Sequence, residues 1–158
     1  MDVFGISIAK NLENVQVAIS DISKEALEIA KKNAETNSAL NKIEIIESNM
    51  FENIKETYDI IVSNPPYIET DEIKKLTKDV QNEPIQALDG GKDGLTFYRK
   101  IAEDAPEFLN IHGFLCFEIG YNQKQKVKQI LEKQKRYINI YCKKDLCEND
   151  RVVVAQLS

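Results

Sequence analysis

The chain has no excess of positive charge. Its 158 residues hold 21 lysines and arginines against 26 aspartates and glutamates, a formal net charge of −5. A general nucleic-acid binder needs a basic field over its surface, and this balance argues against one. Long apolar runs are also missing: none approaches the roughly 20 residues of a membrane span. The N-terminus lacks a charged region followed by an apolar signal core, so the expectation is a cytoplasmic protein with no membrane partner. Histidine occurs once, at His112, and Cys116, Cys142 and Cys147 fall at no metal-ligand spacing. That pattern offers neither a metal site nor a disulfide framework. Glycine is sparse, with only Gly5 ahead of Gly90. Repeats, low-complexity tracts and inter-domain linkers are absent, and the length suits a single domain spanning 1–158.

What is present is organised around Ile60-Ile61-Val62-Ser63-Asn64-Pro65-Pro66-Tyr67. A β-branched run too short for a helix stops at an amide, two prolines and an aromatic ring, which reads as a buried strand ending in a rigid loop. Proline pushes the residue before it toward extended conformations and carries no N–H, so the loop is stiff and rich in acceptors. The Asn64 side-chain oxygen and the Pro65 carbonyl could together accept both hydrogens of one planar –NH2 group. Pro66 adds stiffness, and Tyr67 offers a flat face to the group's π-system. An amide or an exocyclic base amine fits that description. Its delocalised lone pair makes it a poor nucleophile, so a catalyst must hold it about 3–3.5 Å from an electrophile such as a methyl sulfonium.

The surrounding pattern alternates strands with helices. Val15 to Ser23 reads as a strand entering a helix with Ser23 as N-cap, after which Ala26, Leu27, Ala30 and Ala34 recur on one face. Lys42 to Glu47 is a further strand, leading to Ser48-Asn49-Met50. Glu69 to Lys78 reads as a charged, solvated helix. From Leu95 to Leu109 the apolar positions keep helical spacing until Pro106. Strands follow at Phe114 to Ile119, Tyr137 to Cys142 and Arg151 to Gln156, with a helix from Gln123 to Lys133. His112 sits in an Asn110-to-Gly113 turn and reads as a surface residue.

The Asn-Pro-Pro-Tyr motif and its flanks resemble the HemK/PrmC family of protein-(glutamine-N5) methyltransferases that modify peptide-chain release factors. The likeness runs from about Ile6 to the C-terminus. It takes in Val80-Gln81-Asn82-Glu83-Pro84, Ala87 to Leu95 with its Gly90-Gly91-Lys92-Asp93-Gly94 core, Phe97-Tyr98, Glu118-Ile119-Gly120 with Gln123, and Lys144-Asp145-Leu146 with Asp150 to Val153. The resemblance implies S-adenosyl-L-methionine as cofactor and a release factor as protein substrate, with Asn64, Pro65 and Tyr67 as catalytic residues and Asn64 also facing the cofactor. It implies that Asp21 accepts the ribose hydroxyls, where the plainer alternative is a turn residue. Asn49 stands where the family usually has an aspartate at the adenine edge. Met50 would cover the base, unless it is ordinary packing.

The implied fold is α/β: a Rossmann-like class I S-adenosylmethionine-dependent methyltransferase sheet of usual strand order 3-2-1-4-5-7-6. Here it reads as lacking strand 1, the glycine-rich loop that follows it, and the family's N-terminal helical domain. Gly5 lies too late in the first helix to replace that loop, and the family's glycine before the last strand is Glu148 or Asn149 here. Loss of a central strand leaves edges with unpaired backbone groups, to be closed by neighbouring strands, by an N-terminal fragment or by self-association across the edge. Three functions follow: glutamine N5-methylation of a release factor, a catalytically inactive remnant of that enzyme, and adenine-N6 methylation of nucleic acid, the last weakened by the acidic balance.

Overall fold

Residues 3–75 and 84–158 are described by a computed structural model. Their contacts group them into two compact units, one ending at Lys55 and the other beginning at Glu56.

In the first unit, helix α1 (Val3–Asn11) leads to strand β1 (Val17–Asp21), helix α2 (Lys24–Thr36) and strand β2 (Ile43–Glu47). The strands pair in parallel, Val17 beside Ile43 and Asp21 beside Glu47, and form a two-stranded sheet. Helix α2 begins as its sequence dictates: Ser23 is extended and its Oγ accepts the Ala26 N–H at 3.2 Å. Leu27, Ala30 and Ala34 then recur at helical spacing and bury against Ile6 and Ile19. Gly5 has a packing role, since a Cβ there would stand 2.8 Å from Ile19 Cγ1. A larger residue would push α1 away from β1.

The second unit holds a four-stranded sheet ordered β3-β4-β6-β5, formed by β3 (Tyr58–Ser63), β4 (Leu109–Glu118), β5 (Tyr137–Lys144) and β6 (Asp150–Leu157). Strand β4 runs parallel to β3 and antiparallel to β6, and β5 and β6 close the sheet as an antiparallel hairpin. Among the described residues, four helices lie between the strands: α3 (Thr70–Ile73), α4 (Ile85–Leu88), α5 (Thr96–Asp104) and α6 (Lys124–Gln134). One sheet face is packed. Leu115, Phe117, Val153 and Ala155 are fully buried there, as are Tyr98 and Ala102 of α5 and Val127 and Leu131 of α6. The Tyr98 and Phe117 rings meet edge-to-face with centroids 5.2 Å apart, the geometry that aromatic quadrupoles favour.

Several elements differ from the sequence reading. Strand β3 is not buried on both faces: Ile60 is 57% and Val62 47% exposed. Its only hydrogen-bonded neighbour among the described residues is β4. The helix expected from Glu69 to Lys78 is one turn, Thr70 to Ile73, within the described residues. Positions 76–78, and Val80 to Glu83 of the quoted motif, lie outside them. The Asn110-to-Gly113 turn is a bulge inside β4: Tyr58 pairs with Leu109 and Ile60 with Phe114, which leaves Asn110 to Gly113 out of register, with His112 at φ 65°. Pro106 ends its helix as expected, within a 3-10 turn at Ala105–Glu107. None of the described helices is long and apolar enough to cross a membrane.

Candidate functional site

Two clusters of predicted residues form at the carboxyl ends of strands, one in each unit. In the first unit, β1 and β2 end side by side, and the Ser48 N–H donates to the Asp21 carbonyl at 3.0 Å. This brings Asp21 next to the Ser48-Asn49-Met50 turn. The Asp21 Oδ1 accepts the Ser23 N–H at 2.8 Å, which is turn chemistry, but Oδ2 has no partner among the described residues. One oxygen of this carboxylate therefore shapes the turn, and the other is left without a partner among the described residues. Asn49 is exposed and its Nδ2 donates to Glu52 Oε1 at 2.8 Å, leaving its amide oxygen open. Met50 is half-buried in the left-handed region at φ 50°. Its carbonyl is held by the Ser48 hydroxyl at 2.8 Å, and Ser48 itself is buried.

In the second unit, the Asn64-to-Tyr67 loop leaves β3 just after Ser63, which pairs with Phe117 at the sheet's edge. Pro65 is buried and Asn64 half-buried. The Asn64 side-chain amide makes no hydrogen bond to any described residue, and the Pro65 carbonyl likewise accepts none. Here two acceptors on a stiff loop stay open.

The loop is gripped from behind by Ile68 and by the Leu88-to-Gly94 segment. Ile68 forms a bridge with Asp89: its N–H donates to the Leu88 carbonyl at 3.0 Å and its own carbonyl accepts the Gly90 N–H at 2.8 Å. A Cβ on Gly90 would meet the Tyr67 Cα at 2.7 Å, and one on Gly94 would meet the Tyr67 carbonyl oxygen at 2.4 Å. Only glycine permits this approach, and Gly94 also requires its positive φ of 68°. The described part of this segment thus buttresses the loop. Asp89 completes it by accepting the Thr70 hydroxyl and the Gly91 N–H.

Gln123, quoted above within the resemblance, was given no role by the sequence reading. It is 7% exposed, and its Nε2 donates to the Tyr67 carbonyl at 2.9 Å and the Gly94 carbonyl at 3.3 Å. Its Oε1 accepts the Gly120 N–H at 3.0 Å. The available signal was helical phase, because Gln123, Val127 and Leu131 share one face and the last two are fully buried. The nearby Tyr98 hydroxyl donates to the Glu118 carbonyl at 2.9 Å, and burial pushes its pKa far above the ordinary phenol value. It stays a neutral donor. Half-burial likewise raises the Cys116 thiol, and no group of three or more histidine, cysteine or acidic residues among the described residues could hold a metal.

Comparison with known proteins decides the family. The methyltransferase small domain model matches residues 1–146. The chain belongs to that family. It is 41% identical over 155 residues to the release factor glutamine methyltransferase of Clostridium acetobutylicum, covering 96% of this chain and 54% of that protein. To the release factor glutamine methyltransferase of Agrobacterium fabrum it is 47% identical over 135 residues, covering 85% and 46%. The chain thus spans about half the length of the curated relatives it matches. Among solved structures, a methyltransferase from Pyrococcus furiosus superposes with a TM-score of 0.71 at 22% identity, covering 95% of this chain and 66% of that one. That likeness shows the fold, the Rossmann-like class I methyltransferase architecture that the resemblance implied.

Proposed function

We propose that this chain carries the methyl-acceptor loop and part of the cofactor site of an S-adenosylmethionine-dependent enzyme that N5-methylates a glutamine side chain in a peptide-chain release factor. The observation that carries the reading is the open acceptor pair of Asn64 and Pro65, on a loop clamped by Gln123 and two glycines. The relatives' names agree with it.

A glutamine amide presents two N–H donors in one plane. Asn64 Oδ1 and the Pro65 carbonyl accept both, fixing the plane and leaving the nitrogen's π-lone pair as the only face that can react. Tyr67, half-buried with its Cδ2 close to Gly120, would offer its ring to that face. The cluster in the first unit suits a cofactor by itself: among the described residues Asp21 Oδ2 and the Asn49 amide oxygen have no partner and could take ribose hydroxyls and an exocyclic amine, and Met50 offers apolar cover. Bound S-adenosylmethionine supplies a methyl group on a sulfonium centre. With it bound, Asn64 and Pro65 would aim the amide nitrogen at that methyl group, and the proton the nitrogen sheds would pass to water. No strong base is needed, so none need adjoin Asn64.

The test uses the purified 158-residue chain. Calorimetric titration with S-adenosylmethionine reports cofactor binding, and incubation with a release factor followed by peptide mass mapping reports methyl transfer. Methylation of one glutamine side chain is the expected result. Binding without transfer to any glutamine would overturn the substrate assignment, and no binding by a folded chain would favour a catalytically inactive relative.

A further inference from the structure

The buried Gln123 amide is more extensively bonded than packing requires. It lies at the start of α6, yet it caps nothing and turns inward. Its oxygen faces the Gly120 N–H at 3.0 Å and lies 3.4 Å from the Tyr98 hydroxyl, while its nitrogen faces the carbonyls of Tyr67 at 2.9 Å and Gly94 at 3.3 Å. The orientation is dictated, because only the oxygen can accept from Gly120 and only the nitrogen can donate to two carbonyls. Four chain segments meet at this one side chain: the Pro-Pro loop, the glycine turn, helix α5 and the turn after β4.

We propose that Gln123 is a positioning residue for methyl transfer, pinning the Tyr67 carbonyl and so setting the plane in which Asn64 and Pro65 hold the acceptor amide. It does not touch the acceptor. Fixing the Tyr67 carbonyl fixes the peptide plane joining Tyr67 to Ile68, and with it the direction of the Tyr67 ring. Upstream, the proline rings at 65 and 66 restrict the backbone, so a rotation at Tyr67 is passed toward Asn64 with little loss. Gly94 and Gly120 serve the same end: a Cβ on Gly94 would press on Gln123 Nε2 at 3.0 Å, and one on Gly120 on Gln123 Oε1 at 3.1 Å. The inference rests on the acceptor reading above, but the pin itself is tested without it.

Two variants of the full chain separate positioning from bulk packing. Gln123→Met keeps length and removes every hydrogen bond. Gln123→Glu keeps an oxygen for Gly120 and, when ionised, turns an oxygen toward two carbonyls, whereas its protonated carboxyl can again donate to Tyr67. Burial and that repulsion raise such a carboxyl's pKa. The groups facing it are Tyr98 of α5, Tyr67 of the loop, Glu118 of β4 and Arg151 of β6, with the Lys124–Asp150 ion pair beside it.

Amide hydrogen exchange on the unliganded chain is read at Ile68 and Gly90, which report the loop, and at Leu115 and Phe117, which report the sheet. The expected result for Gln123→Met is roughly tenfold less protection at Ile68 and Gly90 with sheet protection unchanged. In Gln123→Glu, loop protection factors recover as pH falls, and in Gln123→Met they do not. In methyl-transfer assays, kcat falls about 10²-fold in Gln123→Met while cofactor KM holds, as expected for misplacement of a reacting group. Unchanged protection at Ile68 and Gly90, or an equal loss at all four amides, would overturn the proposal. A wild-type chain that protects its loop in this way but methylates no glutamine would instead overturn the function proposed above.

Discussion

The backbone N–H of Ser23 donates to Asp21 Oδ1 at 2.8 Å, so the carboxylate at the end of β1 is already half committed to the turn that starts α2. This commitment separates two roles that a single alanine substitution would confuse. Asp21→Asn keeps an oxygen for Ser23 and removes only the charge. Cofactor affinity is expected to fall about tenfold, the difference between a charge-assisted and a neutral hydrogen bond, with the helical circular dichroism signal unchanged. Asp21→Ala should lose affinity and also loosen the start of α2. Equal affinity for wild type and Asp21→Asn, measured by calorimetry, would return Asp21 to a purely structural role.

The β5–β6 hairpin carries its own test. Asp145 accepts the N–H groups of Cys147 and Asn149 and pairs with Arg151 at 3.0 Å. The Asn149 N–H and, after it, Arg151 hold the Asp145 carboxyl below the usual carboxylate range. A pKa lower in the folded chain than in the unfolded one means the carboxylate stabilises the fold above its unfolded value, near about 4, and that this contribution fades as pH falls through the lower folded value. Urea unfolding of wild type and Asp145→Asn should therefore show a stability gap near neutral pH that narrows below about pH 4. A gap that is constant with pH, or that widens in acid, would contradict this.

Within the same turn, Glu148 occupies the left-handed region at φ 64°. A side chain there costs about 1 kcal/mol that glycine avoids. The Lys144–Glu148 ion pair at 3.3 Å is exposed and weighs little against it. Glu148→Gly should raise the unfolding free energy by about 0.5–1 kcal/mol, less the extra freedom glycine gives the unfolded chain. Denaturant melts that show a loss of stability would mean that the turn is not strained.

The contrast between Ser23 and Gln123 shows what could be read from the sequence and what could not. Ser23 was legible because capping is local: the acceptor and the N–H it meets lie three residues apart. The helix stop at Pro106 and the carboxyl-end position of Asn64 are local in the same sense. Gln123 bonds to carbonyls 56 and 29 residues away. Periodicity could place it on the buried face of α6 but could not say which backbone oxygens it would meet. The glycines fared similarly. Gly90 and Gly94 could be quoted only as part of a motif, and their task, letting backbone press against Tyr67, depends on the bridge between Ile68 and Asp89. Strand β3 misled for a related reason: a β-branched run signals strand, but the covering of its faces is decided by elements far along the chain.

The central claim is that Asn64 orients an acceptor amide. The most direct measurement is single-turnover methyl transfer from labelled S-adenosylmethionine to a release factor, comparing wild type with Asn64→Ala at saturating cofactor. The account predicts unchanged cofactor affinity and a transfer rate at least about 10²-fold lower, the scale expected when a reacting group loses its alignment. A variant that transfers methyl at the wild-type rate would contradict it.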